Sequence, residues 1–271
     1  MPCFICTTCG TQHAESDQPP HRCATCDDER QYVGLGGQQW TTIEALAETH
    51  EIAFGEEEAG LLSVELRPAF GITQRALLVL HPEGNVLWDC VSLVDEGALD
   101  VIGELGGISA IAISHPHFYT SFVEWSVAFG GAPVYLHQAD AAHVRRPDPC
   151  VTYWAGDTYS IADGLTLVRT GGHFEGSALL HWAAGAGGKG VLLASDTLKV
   201  GLDRQSVSVM RSYPNAIPVG PTAIRRVEEQ LAPLAYDRIY AAWPGHHIAQ
   251  DAPAVVRKSL KRYLTQIAEV T

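Results

Sequence analysis

The sequence predicts an α/β protein: two mixed sheets packed face to face with helices outside, preceded by a small metal-binding ribbon. Three observations carry that expectation. Two Cys-x-x-C pairs open the chain, a meander of short strands then gives way to alternating strands and helices, and alternation returns in the second half. With 271 residues, 46% of them apolar and 18% charged, the chain can bury a substantial core. Its formal charge of -13 sets up a field that repels phosphate backbones, so no nucleic-acid partner is expected. The start, Met1-Pro2-Cys3-Phe4-Ile5-Cys6, has neither the basic stretch nor the apolar run of a signal peptide, and no later segment approaches ~18 uninterrupted apolar residues. No membrane partner is expected, and the expected location is the cytoplasm.

The ribbon comes first. Cys6, Cys9, Cys23 and Cys26 form two pairs whose short loops each present two thiolates, and four thiolates can close a tetrahedron around one ion. Gly10, directly after the second thiolate, suits a tight knuckle whose backbone N–H groups turn towards sulfur. The residues between the pairs are polar and turn-forming and end in Pro19-Pro20, so metal binding has to supply the folding energy of this segment. A structural zinc is the expectation. Reduced thiols without metal are the plain alternative, and iron is chemically open because the arrangement resembles rubredoxin as well as zinc ribbons. Cys3 repeats the spacing, but a four-coordinate site has no place for a fifth thiolate. A glycine-rich connector around Gly34, Gly36 and Gly37 sets the domains at 1-38 for the ribbon and 39-271 for the body. The ribbon is expected to fold separately, so that loss of Cys9 leaves the body's own metal site filled.

In the body, Thr41 to Glu48 reads as a capped helix. Strands follow at Leu61 to Leu66, Ala76 to Leu80 and Val86 to Asp89, the last two separated by the turn Pro82-Glu83-Gly84-Asn85. Asp95 to Leu105 then reads as helix, Ile108 to Ile113 as a buried strand, Phe122 to Phe129 as helix and Val134 to Leu136 as strand. Later strands fall at Leu165 to Val168, Ala178 to Trp182, Val191 to Ala194 and Arg238 to Ala242, with a helix at Thr222 to Leu231. Val256, Leu260, Tyr263, Leu264 and Ile267 mark one face of a closing amphipathic helix. The glycine-rich stretch Gly185 to Gly190 lacks the Gly-Lys-Ser/Thr ending of a phosphate loop and reads as a hairpin turn. Glu124 reads as a solvated carboxylate and Trp125 as core.

Chemistry collects at strand ends. His115-Pro116-His117, Gly172-His173, Ser195-Asp196-Thr197 and Gly245-His246 each follow a strand, so four loops deliver candidate metal ligands in one positional register. Singly, each has a dull reading as a surface histidine or a helix-capping aspartate. Together they resemble the metallo-β-lactamase fold superfamily over about 230 residues after the ribbon. Asp89 matches the family's strand-end aspartate, and His115 and His117 match the first part of its His-x-His-x-Asp-His signature. His173, Asp196 and His246 fall at the later signatures, the last written Pro-Gly-His-His.

The resemblance implies an αββα sandwich with a metal site along one rim of the sheets, and a metal-dependent hydrolase. It also implies that His115, His117 and His173 hold one ion, while Asp196 and His246 would share a second with an aspartate and a histidine that are replaced here by Tyr119 and Thr120. One zinc in the ribbon and one at the histidine cluster are therefore expected, with iron possible at either. Asp196 is the carboxylate expected to orient or deprotonate water, Tyr119 a candidate donor to the leaving group, and His247 a candidate acid or base. Asp89 is expected to hold a loop or a ligating imidazole. The expected substrate is a small-molecule ester, lactone, amide or thioester. The alternatives are an iron-dependent oxidoreductase of the same fold, and a weakened ligand-binding member whose ribbon contacts a partner. The sequence sets no oligomeric state.

Overall fold

Ala76–Val79 buries all four of its side chains, as a strand inside a sheet must, whereas Glu51–Glu58 leaves carboxylates exposed and lies at a sheet edge. In the computed structural model, which describes residues 1–268, the chain divides into two units, the first ending at Trp154 and the second starting at Ala155.

The first unit opens with a three-stranded antiparallel ribbon of β1 (Cys3–Cys6), β2 (Gln12–Glu15) and β3 (Trp40–Thr41), in the order β2-β1-β3. The boundary expected at residue 38 falls just ahead of β3. Helix Ile43–Ala47 follows, with Thr42 accepting from the Ala45 N–H as its cap. The main sheet has seven strands: β4 (Glu51–Glu58), β5 (Leu61–Arg67), β6 (Ala76–Val79), β7 (Val86–Trp88), β8 (Ala110–Ala112), β9 (Val134–His137) and β10 (Val151–Trp154). They lie in the order β10-β9-β8-β7-β6-β5-β4. From β4 to β7 neighbours are antiparallel, and from β7 to β10 they are parallel.

The change of sense has a covalent cause. Parallel neighbours need a crossover, supplied by helix Glu96–Glu104 between β7 and β8 and helix Phe122–Ala128 between β8 and β9. This is the meander followed by alternation that the sequence predicts. It lacked β4 and β10, the two strands that form the sheet's edges.

The second unit holds a six-stranded sheet in the order β11-β12-β13-β14-β19-β20. Its strands are β11 (Thr158–Ala162), β12 (Leu165–Arg169), β13 (Ala178–Trp182), β14 (Val191–Ser195), β19 (Arg238–Ala241) and β20 (His247–Ile248). Two short pairs, β15 (Lys199–Val200) with β16 (Val207–Ser208) and β17 (Met210–Ser212) with β18 (Ile217–Pro218), fill the excursion between β14 and helix Pro221–Leu231. That helix makes the crossover to β19, the parallel partner of β14. One core joins Leu179, Leu192, Ala194 and Ile239 of the sheet with Ile224, Val227 and Leu231 of this helix. Val256 and Leu260 of the last helix, Ala252–Ala268, complete it on the face that the amphipathic pattern marks.

Gly185 to Gly190 connects antiparallel β13 and β14, but through a short helical segment, Gly185–Gly188, with Ala186 and Gly187 left-handed, and not as a plain hairpin turn. Gly190 has φ +88°, and a Cβ there would stand 2.0 Å from the Ala235 carbonyl oxygen. Gly188 has φ +87° with nothing within 4 Å of such an atom. Gly190→Ala is therefore expected to cost at least about 2 kcal/mol and Gly188→Ala about 1 kcal/mol, compared by urea unfolding. Equal losses would show that backbone conformation alone sets the requirement.

Candidate metal centres

The four ribbon cysteines are fully or almost fully buried and none is in a disulfide. Cys6 and Cys26 sulfurs lie 3.6 Å apart, Cys9 and Cys23 sulfurs also 3.6 Å, and all four fall within 4.8 Å of one another. A zinc bound at about 2.3 Å to each would set neighbouring sulfurs about 3.8 Å apart, so the set fits such an ion. Backbone geometry creates the cage. Gly10 donates to the Cys6 carbonyl (2.8 Å) with φ +79°, closing the knuckle for which the sequence placed a glycine. Gln38 clamps the second loop to the first: its amide nitrogen donates to Cys6 Sγ (3.0 Å) and its oxygen accepts from the Cys23 N–H (3.2 Å). Cys3 lies outside the sulfur group.

His115 and His117 flank Pro116 at a tight turn, Pro116–Phe118, that follows β8; both are buried, with ring centroids 5.1 Å apart. Ser114 Oγ stands 2.8 Å from His115 Nδ1, which leaves Nε2 to face a ligand. Asp89 takes the expected loop-holding place: its carboxylate accepts the Ser114 N–H at 2.8 Å, and its own backbone is left-handed (φ 62°). Tyr119 and Thr120 are both buried. Burial, reinforced by the Asp140 carboxylate, pushes the Tyr119 hydroxyl well above the usual phenol range, so it is a proton-bearing donor throughout the neutral range. Thr120 Oγ1 is 2.6 Å from Ser92 Oγ, and Ser121 Oγ donates to the Ser92 carbonyl at 2.8 Å.

In the second unit His173 Nδ1 is 2.9 Å from the Met210 carbonyl and therefore donates to it. Its Nε2 faces Asp196 Oδ2 at 3.6 Å. A proton on Nε2 makes this an ion pair, and a metal ion between the two atoms would take the proton's place. A tetrahedral ion bound at about 2.0–2.2 Å to each would hold the two atoms about 3.4 Å apart. Asp196 is itself steadied by Tyr213, whose hydroxyl lies 2.8 Å from the Asp196 carbonyl and 2.9 Å from that of Ser208. Burial, followed by the Asp196 charge, pushes the Tyr213 hydroxyl up, so it too stays protonated.

His246, expected as a ligand, gives Nδ1 to the Val200 carbonyl (2.7 Å) and is not among the donors that gather within 4.8 Å of one another. His247, expected as an acid or base, accepts through Nε2 from Arg204 Nη1 at 3.1 Å, while Arg204 Nε donates to the Gly245 carbonyl at 3.0 Å. Lys199 lies over the Tyr213 and Trp243 rings at 4.9 and 4.8 Å.

Two donor sets suited to metal are thus present: four thiols, and the three imidazoles of His115, His117 and His173 with the Asp196 carboxylate. Sequence reasoning missed Gln38, Gln74, Ser92 and Tyr213, which support these donors through hydrogen bonds to residues well separated in the chain and leave no local pattern. Glu124 corrects an expectation. It is not merely solvated but accepts from Gln12 Nε2 of the ribbon (3.0 Å) and pairs with Arg146. Tyr119→Asp with Thr120→His would write the six-residue signature back into the loop. Because both sites are buried and Thr120 is bonded to Ser92, the double change is expected to cost about 1–3 kcal/mol without adding an ion. Urea unfolding and elemental analysis check both parts.

No family model matches the chain. It is 44% identical over 266 residues to the uncharacterized protein YmaE of Bacillus subtilis (strain 168), covering 97% of this chain and 96% of that protein. The crystal structure of the DIM-1 metallo-beta-lactamase matches 80% of this chain and 98% of its own, with a TM-score of 0.59 and 12% identity. That of TTHA1623, in a di-iron-bound form, matches 66% of this chain and 90% of its own, with a TM-score of 0.50 and 22% identity. These likenesses, both below a quarter identity, show the fold. The chain therefore belongs to one family with YmaE and has the metallo-β-lactamase fold, with a four-cysteine ribbon at its N-terminal end.

Proposed function

We propose that the chain is a hydrolase of a small-molecule ester, lactone, amide or thioester, working with one zinc ion held by His115, His117, His173 and Asp196, and that a second, structural zinc occupies Cys6, Cys9, Cys23 and Cys26. The observation that carries this reading is the second donor set. It consists of three buried imidazoles and a buried carboxylate; His115 and His173 have the ring nitrogen opposite the ligand held by a hydroxyl or a backbone carbonyl. When bound, such an ion supplies a water of lowered pKa and polarises a carbonyl.

The chain's own residues do the rest. Asp196, buried and steadied through Tyr213, can accept a proton from water or fix its orientation. Tyr119, a neutral phenol, can donate to the leaving group. His246 would join Asp196 toward a second ion, but Tyr119 and Thr120 bring no further ligand, which supports a single ion beside the ribbon's. His247 serves in this reading as a support of the Gly245–His246 turn through Arg204.

The charge of -13 favours a small-molecule substrate over nucleic acid. No helix of the described residues is long and apolar enough to cross a membrane. We place the protein in the cytoplasm, where reduced thiolates persist.

The same donor sets suit iron, and TTHA1623 was crystallised in a di-iron-bound form, which favours an oxidoreductase as the second reading. Elemental analysis with turnover on an ester and lactone panel separates the two. About two zinc ions per chain are expected, together with a hydrolytic rate that falls at least about a hundredfold in His173→Ala as about one ion is lost. Three ions per chain would refute the single-ion reading, and iron with a thiolate–iron absorption band would favour the oxidoreductase.

A further inference from the structure

The ribbon's knuckle and the histidine loop share a partner. The side-chain nitrogen of Gln74 donates one hydrogen to the Cys9 carbonyl (3.3 Å) and the other to the His117 carbonyl (3.2 Å). One amide therefore joins a thiol donor of the first set to an imidazole donor of the second. Beside it, Ser92 Oγ lies 3.4 Å from the Gly10 carbonyl and 2.6 Å from Thr120 Oγ1. The fit is close. A Cβ on Gly10 would stand 2.8 Å from Ser92 Oγ and 3.4 Å from Gln74 Nε2, and one on Gly71 would stand 3.4 Å from the Gly10 nitrogen.

A second grip lies just beyond the loop. Gln12 donates to Glu124 at 3.0 Å and accepts from Arg146 at 2.6 Å, while Arg146 also pairs with Glu124, which lies on the helix that follows Thr120 and Ser121. The ribbon thus reaches the histidine segment through Gln74 and Ser92, and the helix that follows it through Glu124.

From this we propose that Gln74 is a positioning residue through which the cysteine centre sets the metal affinity of the histidine set: a filled cysteine cage fixes the Cys9 carbonyl, Gln74 follows it, and the His117 backbone is held where its ring can ligate. This reverses the expectation that the ribbon can be lost without consequence for the body. It rests on the proposed metal at His115 and His117, and the test keeps the two apart.

The full-length chain is loaded with cobalt, whose thiolate charge-transfer absorption reports the ribbon separately from imidazole-bound ion. Gln74→Met removes the donor and keeps the volume. It is expected to leave the thiolate band intact while the histidine set loses about tenfold in cobalt affinity. Cys26→Ser, which opens the cage, is expected to weaken the histidine set by a similar factor alone, and by less than about twofold more when added to Gln74→Met. Additive losses, or a histidine set of unchanged affinity in Gln74→Met, would overturn the coupling.

If cobalt never enters the histidine set in the unaltered chain, the hydrolase reading fails, and amide hydrogen exchange of residues 115–121 still decides the coupling. Exchange there is expected to quicken about tenfold in both variants. Unchanged exchange in Gln74→Met overturns the proposal whatever the state of the metal.

Discussion

Electron-rich atoms gathered away from water need positive charge between them, and both donor sets of this chain are built around that need. Four sulfurs meet in a segment without a core of its own, and His173 turns its Nε2 towards a buried carboxylate 3.6 Å away because Met210 holds the other nitrogen. In each, the electron density is taken up by protons, as S–H···S contacts and an imidazolium–carboxylate pair, or by a metal ion that replaces them. The fold's task is to deliver these groups from several loops at once. Strand ends do so cheaply, since the strand behind each donor is fixed by its neighbours: β8 leads to His115, β14 to Asp196 and β19 to the turn bearing His246.

The groups that hold the donors matter as much as the donors. Ser114, Met210 and Tyr213 decide which nitrogen of each ring faces a ligand and how Asp196 is steadied, through a hydroxyl or a carbonyl in every case. Around the His115–Ser121 segment the same work is shared between the sheet unit's Gln74 and Ser92 and the ribbon's knuckle. Thr120 commits its hydroxyl to a buried contact with Ser92, so the loop is braced from within by protein.

Much of this was legible in the sequence, and the reason differs from element to element. The Cys-x-x-C pairs and the histidines after strands announce themselves because ligand chemistry demands particular residue types at short spacings. Asp95 and Thr42 do so because a helix start needs a side-chain acceptor within three residues. Gln74 escaped notice because its partners are Cys9 and His117, 65 and 43 residues away, and a glutamine ahead of a strand has no local signature. Glu124 was misjudged for the same reason: its partner Gln12 is 112 residues distant. Strand β4 was missed because its carboxylates break the alternation that marks a half-buried strand.

Those carboxylates have a colloidal meaning. β4 ends the seven-stranded sheet, where a bare row of N–H and C=O groups would template pairing with another molecule. Asp95 accepts the Ile52 N–H, and Glu51 and Glu56 stand exposed along the strand, so a second copy approaching this edge meets like charge before it meets a hydrogen bond. The guard is electrostatic and therefore conditional: salt screens the carboxylates, and at high ionic strength this edge is left with the Asp95–Ile52 hydrogen bond as its cover.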